Sequence, residues 1–169
     1  MQLSRWTLYQ IITVSFLLAA GYALSYYRED ISNQIVNNVP ITLIISLSII
    51  FGAVACTSLL FYFQTKKSST FLIHPLWKKM HVLVGINILV SMILLIILSV
   101  FSPMFEIVER RPWILSLLGY YFLFNFNLFI LCVLHRFGNT KSSPEKKVEY
   151  GFFGTLLSAL IILFLLPSF

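Results

Sequence analysis

The chain has 169 residues, of which 59% are apolar and 11% charged, with a formal net charge of +6. Soluble domains carry about 25% charged residues, so this composition cannot cover a water-facing surface, and lipid is the expected solvent for most of the chain. Its basic residues lie in short segments between apolar runs, with no long soluble element to present them, which argues against direct nucleic-acid binding despite the positive charge.

A bilayer core is crossed by about 20 consecutive apolar residues in a helix. Runs at 6–26, 41–63, 80–101, 113–134 and 150–167 meet or approach that length, and none contains Asp, Glu, Lys or Arg. The expectation is therefore a single all-α membrane domain, a compact bundle of five transmembrane helices. The first run, behind Arg5 and ending at Gly21-Tyr22-Ala23, imitates a secretory signal with a small-residue cleavage site; we read it as a membrane helix. Its Ser15, Ala19 and Ala23 share a face. Pro40 and Pro112 stand where the second and fourth helices open, and Pro103 and Pro167 stop the third and fifth. Trp6, Tyr26, Tyr27, Tyr62, Trp77, Trp113 and Tyr150 stand near the proposed interfaces, where amphipathic rings are favoured.

In the second run, Ser48, Gly52 and Cys56 form a stripe at four-residue spacing, with Ala53 and Thr57 alongside; Gly151, Gly154 and Ser158 do the same in the fifth. Small residues at such spacing let helix backbones approach, within a chain or between subunits. Cys56 and Cys132 read as small buried hydrophobes, since there is no CxxC pair and no Cys/His metal spacing.

With five spans, one side of the membrane holds Arg5, Lys66, Lys67, Lys78, Lys79, Arg136, Lys141, Lys146 and Lys147, nine basic residues against Arg28, Arg110 and Arg111 on the other. The positive-inside rule then puts the N-terminus in the cytoplasm and the C-terminus outside. Glu29, Asp30, Glu106 and Glu109 fall outside, Glu145 and Glu149 inside. The connection 64–79 carries Phe71, Leu72, Ile73, Leu76 and Trp77 and is expected against the headgroups. The connection 135–149 is polar and turn-rich (Gly138, Asn139, Ser142-Ser143-Pro144), the expected mobile, partner-facing loop. Lys66, Lys67, Lys78, Lys79, Lys141, Lys146 and Lys147 are the expected contacts with a cytoplasmic partner or anionic lipid.

Polar residues inside the spans are costly in lipid and often functional. Asn87 and Ser91 are four apart on the third helix; Tyr121 and Asn125 are four apart on the fourth, with Asn127 on another face. They read as interhelical hydrogen-bonding glue or as the lining of a pore. His81 opens the third helix and His135 ends the fourth, so a haem held between them is a further reading. No acid lies at membrane depth, and HExxH, GxSxG and P-loop patterns are missing, which points away from an enzyme. No cofactor or metal is expected. Glu106 and Glu109, beside Arg110 and Arg111, read as a solvated cap.

In size and topology the chain resembles small polytopic proteins that act with a partner: bacteriocin-immunity proteins, phage-defence membrane components, and accessory subunits of transport or secretion complexes. The resemblance implies a non-enzymatic anchoring, regulatory or sensing subunit of a homo- or hetero-oligomeric complex, in a prokaryotic inner membrane. An oligomeric channel or small-molecule permease is the first alternative and a haem-binding redox anchor the second.

Overall fold

The computed structural model of the chain describes residues 4–27, 39–68, 70–101, 104–137 and 143–165. Every regular element among them is helical: α1 (Arg5–Tyr26), α2 (Val39–Lys67), a 3-10 turn (Phe71–Ile73), α3 (Trp77–Phe101), the short α4 (Met104–Arg110), α5 (Trp113–Phe137) and α6 (Pro144–Leu165). Arg28, Glu29, Asp30, Gly138, Asn139, Lys141, Ser142, Pro103 and Pro167 lie outside the described residues, as does the side chain of Lys78.

Among the described residues, four helices are long and apolar enough to cross a membrane: α1, residues Leu47–Lys67 of α2, residues Lys79–Phe101 of α3, and α5. The described residues thus form an all-helical structure with four candidate membrane spans. In α6, Glu145, Lys146, Lys147 and Glu149 occupy the first turns, and from Tyr150 onward the helix is free of charge.

Helices outrun the apolar stretches that nucleate them. Lys66 and Lys67 continue α2, Trp77 to Lys79 precede the apolar part of α3, and α5 runs on to Phe137. Long basic side chains can lie along a helix while their charged ends reach water, so a charge need not end the helix. Pro144 opens α6 rather than sitting in a loop; its missing N–H is one of those a helix start leaves unpaired. Ser143 caps this end, its carbonyl accepting from Lys147 N–H at 3.2 Å and its hydroxyl from Lys146 N–H at 3.4 Å.

The helix α5 is the hub. It packs against α1, α2, α3 and α6, and α2 in turn packs against α1 and α6. The long helix α3 rests chiefly on α5, and just 6% of its apolar window is buried, the smallest share of the four candidate spans. The buried core joins Phe61 of α2, Leu72, Trp77 and Val84, Leu131 and Cys132 of α5, and Val148 of α6. Leu72 and Trp77 therefore tuck into the bundle. Phe71 lies edge-on to Trp77 within the same segment, while Leu76 stays exposed.

Cross-helix contacts bring one set of helix ends together. Trp6 stacks on Phe63, and the Gln10 amide donates to Gln64 Oε1 at 3.0 Å. Lys66 of α2 pairs with Glu145 of α6, His81 of α3 meets Arg136 of α5, and His135 of α5 meets Lys147 of α6. The start of α1, the end of α2, the start of α3, the end of α5 and the start of α6 thus share one pole. Arg5, Lys66, Lys67, Lys79, Arg136, Lys146 and Lys147 are all found there, so the basic residues separate in space as they do in sequence.

Candidate functional site

Two polar clusters grow from α5, and they differ in enclosure. The inner one is built on Asn127, only 1% exposed. Its amide donates to Ser58 Oγ at 2.8 Å and Thr57 Oγ1 at 3.0 Å, both on α2. Thr155 of α6 places its hydroxyl 3.2 Å from Asn127 Oδ1 and 2.8 Å from the Gly151 carbonyl, so its one proton is shared between them. Thr57 passes its own proton to the Val54 carbonyl at 3.0 Å. Three helices are joined through one side chain whose two N–H groups and carbonyl are all occupied.

The outer cluster joins α5 to α3. Asn87 donates to Asn125 Oδ1 at 2.9 Å and to the Tyr121 hydroxyl at 3.0 Å, and Ser91 and Tyr121 share a hydrogen bond of 2.7 Å. Asn125 returns its amide to the Tyr121 carbonyl at 2.8 Å. The spacings read from the sequence thus meet across the α3–α5 contact as four-residue pairs. Asn125 is buried, yet Asn87 is exposed and Tyr121 is 41% exposed. Both Asn87 N–H groups are used, whereas no described residue donates to its carbonyl. The two hydroxyls share one bond, which leaves one O–H proton over. At the exposed edge of the cluster, one hydroxyl proton and the Asn87 carbonyl remain over on a surface that is otherwise aliphatic, beside exposed Leu83, Ile86, Val90 and Leu94.

No protein-family model matches the chain, and neither the curated proteins nor the solved structures contain a match. The reading of function therefore rests on this chain's own geometry.

The polar residues expected to line one path fall in two places. Residues 125 and 127 are two positions apart on a helix, about 200° around its axis, so they turn to opposite sides. Two grooves are walled mainly by apolar residues: one between α1, α2 and α5 by Phe16, Leu17 and Ile49, with Ser48 and Tyr120 among its polar members, another by Ile88, Met92, Phe122 and Phe126.

The small-residue stripes also divide. Gly151 lies against Leu131, and a Cβ on Gly154 would stand 3.1 Å from Ile130, so α6 uses both glycines to approach α5. Ser158 turns its hydroxyl back to the Gly154 carbonyl at 2.8 Å. On α2, Cys56 is buried, but Ser48 is exposed and a Cβ on Gly52 would meet nothing within 4 Å. The face of α2 turned inward is instead Val54, Thr57, Ser58, Phe61 and Thr65, because Thr57 and Ser58 must reach Asn127. Ser15, Ala19 and Ala23 are exposed on α1, which turns Leu17 and Gly21 inward.

At the basic pole, His81 Nε2 lies 3.0 Å from Arg136 Nη1 and His135 Nδ1 lies 3.4 Å from Lys147 Nζ. A ligating histidine is oriented by a carboxylate or carbonyl on its second nitrogen; these rings each turn a nitrogen to a cation. Among the described residues no group of three or more His, Cys, Asp or Glu could hold a metal. Lys147 corrects one expectation: it sits on α6, 9% exposed, and is walled in against His135 instead of standing on a partner-facing loop. Lys66, Lys67, Lys79 and Lys146 remain exposed, as do Glu106, Glu109, Arg110 and Arg111 around α4.

Sequence reasoning missed Ser58 and Thr155 as partners of Asn127, and the Gln10–Gln64 bond between α1 and α2. The signal was present as lone polar residues within apolar runs.

Proposed function

We propose that this protein is a non-enzymatic subunit of a membrane assembly, anchoring, regulating or sensing for its partners, and that it crosses a prokaryotic inner membrane five times. The observation that carries the reading is the half-exposed Asn87–Ser91–Tyr121 cluster between the least buried candidate span, α3, and α5. A hydrogen-bonding group left in hydrocarbon is costly, and another helix is what ordinarily relieves it. A second copy suits the site, because one spare donor and one spare acceptor are self-complementary about a two-fold axis. A bacteriocin-immunity, phage-defence or transporter-accessory role fits a chain whose chemistry lies in its contacts.

The fifth span is α6, whose charge-free part follows a basic first turn, and the pole rich in Lys and Arg faces the cytoplasm. Reporter fusions after residue 169 should then read as external, and reporters inserted at 140 as cytoplasmic; a cytoplasmic C-terminus would overturn the five-span topology.

Assembly is tested by the mass of the protein in nanodiscs. Wild type should exceed one chain, and Asn87→Leu combined with Tyr121→Phe should return it to one. A wild-type protein of single-chain mass that also brings down no partner from its host would end the assembly reading. An unchanged mass in the double variant would move the interface elsewhere.

A further inference from the structure

A groove of about 460 Å³ opens at the basic pole, between the end of α2, the 68–76 connection and the α3–α5 pair. Its lining divides by chemistry. The connection supplies Ser68, Thr70 and His74 as its polar members together with apolar Phe71 and Leu76, and the helices supply only apolar or aromatic residues, among them Phe61, Met80 and Leu128. The volume is within the range of ligand pockets, about 300–1,000 Å³.

The polar rim has donors to give. Ser68 and Thr70 share one hydroxyl hydrogen bond of 3.2 Å, so one O–H proton is left over. His74 Nδ1 accepts the Leu76 N–H at 3.3 Å, which places the neutral ring's proton on Nε2 as a further donor. Exposed Lys67 precedes Ser68 and exposed Lys79 precedes Met80; neither has a carboxylate within ion-pair distance among the described residues, where the single ion pair is Lys66–Glu145. The rim also adjoins the N-terminus of the 25-residue helix α3, whose dipole favours an anion. Donors on the lining, with exposed Lys67 and Lys79 next in sequence to lining residues, and an apolar floor match an amphiphile with an anionic head.

We propose that this groove seats one anionic phospholipid, with its phosphate at the Ser68–Thr70–His74 rim and one acyl chain along Phe61, Met80 and Leu128. A phospholipid is the occupant because the groove opens where membrane helices end, and a free phosphate would leave the floor bare. The site is separate from the Asn87 face, so its failure and the failure of the assembly reading are distinguishable.

The test uses the full-length protein in detergent, with bound lipid counted by native mass spectrometry. Phosphatidylglycerol should bind as one molecule per chain, at least tenfold tighter than phosphatidylcholine with the same acyl chains. Lys67→Gln combined with Lys79→Gln should weaken it at least fivefold. Lys146→Gln, an exposed lysine of the same pole outside the groove, should change it less than twofold. Met80→Trp should fill the floor and weaken both lipids; if that variant does not fold, the lysine variants decide. Equal binding of the two lipids, or an equal loss in Lys146→Gln, would reduce the effect to general surface charge and overturn the site. Glycerol phosphate competing as well as the lipid would show that a phosphate alone suffices, and would remove the acyl chain from the proposal.

Discussion

Asn125 and Asn127 stand two residues apart on α5, yet they belong to different kinds of environment. Around Asn127, every polar atom that faces the bundle has a partner, and Thr57 and Thr155 are almost wholly enclosed. Around Asn125, the network runs outward through Asn87 to Tyr121 and Ser91 and stops at a half-exposed edge. Residue type does not separate the two; closure does. A satisfied, enclosed amide fixes how three helices sit together, whereas an unsatisfied edge in hydrocarbon is an invitation to a further helix. The same contrast returns in the glycines: Gly21 is held against Tyr120, and Gly52 faces open space.

The contrast would break first at Asn127. Asn127→Ala removes hydrogen bonds to Thr57, Ser58 and Thr155, which average about 0.6 kcal/mol each in a membrane, and leaves a small cavity as well. Thr57 and Thr155 keep their bonds to Val54 and Gly151, but the Ser58 hydroxyl loses the one hydrogen-bond partner it has among the described residues. The expected loss is about 2–3 kcal/mol of unfolding free energy, read by titration with a denaturing detergent. Asn87→Ala, at the open edge, should cost the single chain under about 1 kcal/mol. Equal losses at the two sites would mean that enclosure does not govern them.

Much of the outer cluster was legible in the sequence, because a four-residue spacing puts Asn87 with Ser91 and Tyr121 with Asn125 on common helix faces whatever the tertiary structure. The inner cluster was not. Thr57, Ser58 and Thr155 sit in apolar runs where single hydroxyls are common, and only the rotation of α2 and α6 about their axes brings them to Asn127. That rotation also explains why Ser48 and Gly52 are poor guides to the packed face of α2. The charge segregation survived into three dimensions, since helix ends in a membrane protein must gather at two poles. Lys147 was misread because a polar segment on the page, Ser142-Ser143-Pro144 and its lysines, includes a helix start whose second turn packs inward.

At the α1 side, the closed member of the comparison is Gly21. A Cβ there would lie 3.1 Å from the Tyr120 ring and 3.4 Å from Ser116 Cβ, so α1 reaches α5 because this position lacks a side chain. Gly21→Leu overpacks the contact and should cost about 1–3 kcal/mol. The measurement is again unfolding in denaturing detergent, with the α1–α5 separation followed by a spin-label pair. A stable Gly21→Leu protein with unchanged separation would show that Tyr120 simply turns aside.

The smallest effect belongs to Gly52. Its stripe with Ser48 and Cys56 suggests close packing, but a Cβ there meets nothing within 4 Å, and the groove it borders, about 410 Å³, has room for a larger side chain. Two terms act on Gly52→Leu in a single chain. Replacing glycine inside a helix gains up to about 1 kcal/mol in propensity, and the leucine trades lipid contact for contact with Leu17 and Ile49 of the groove wall. Stability should therefore stay within about 0.5 kcal/mol of wild type or rise slightly. The assembled mass is the more telling reading, since a groove lined by Ala20, Ala23 and Gly52 is also a surface that another helix can enter. If Gly52→Leu leaves the fold intact but lowers the mass, assembly uses this face in place of the Asn87 edge. If both stability and mass hold, the open side of α2 takes no part in assembly, and the proposed contact at the edge on α3 and α5 is the surface to test next.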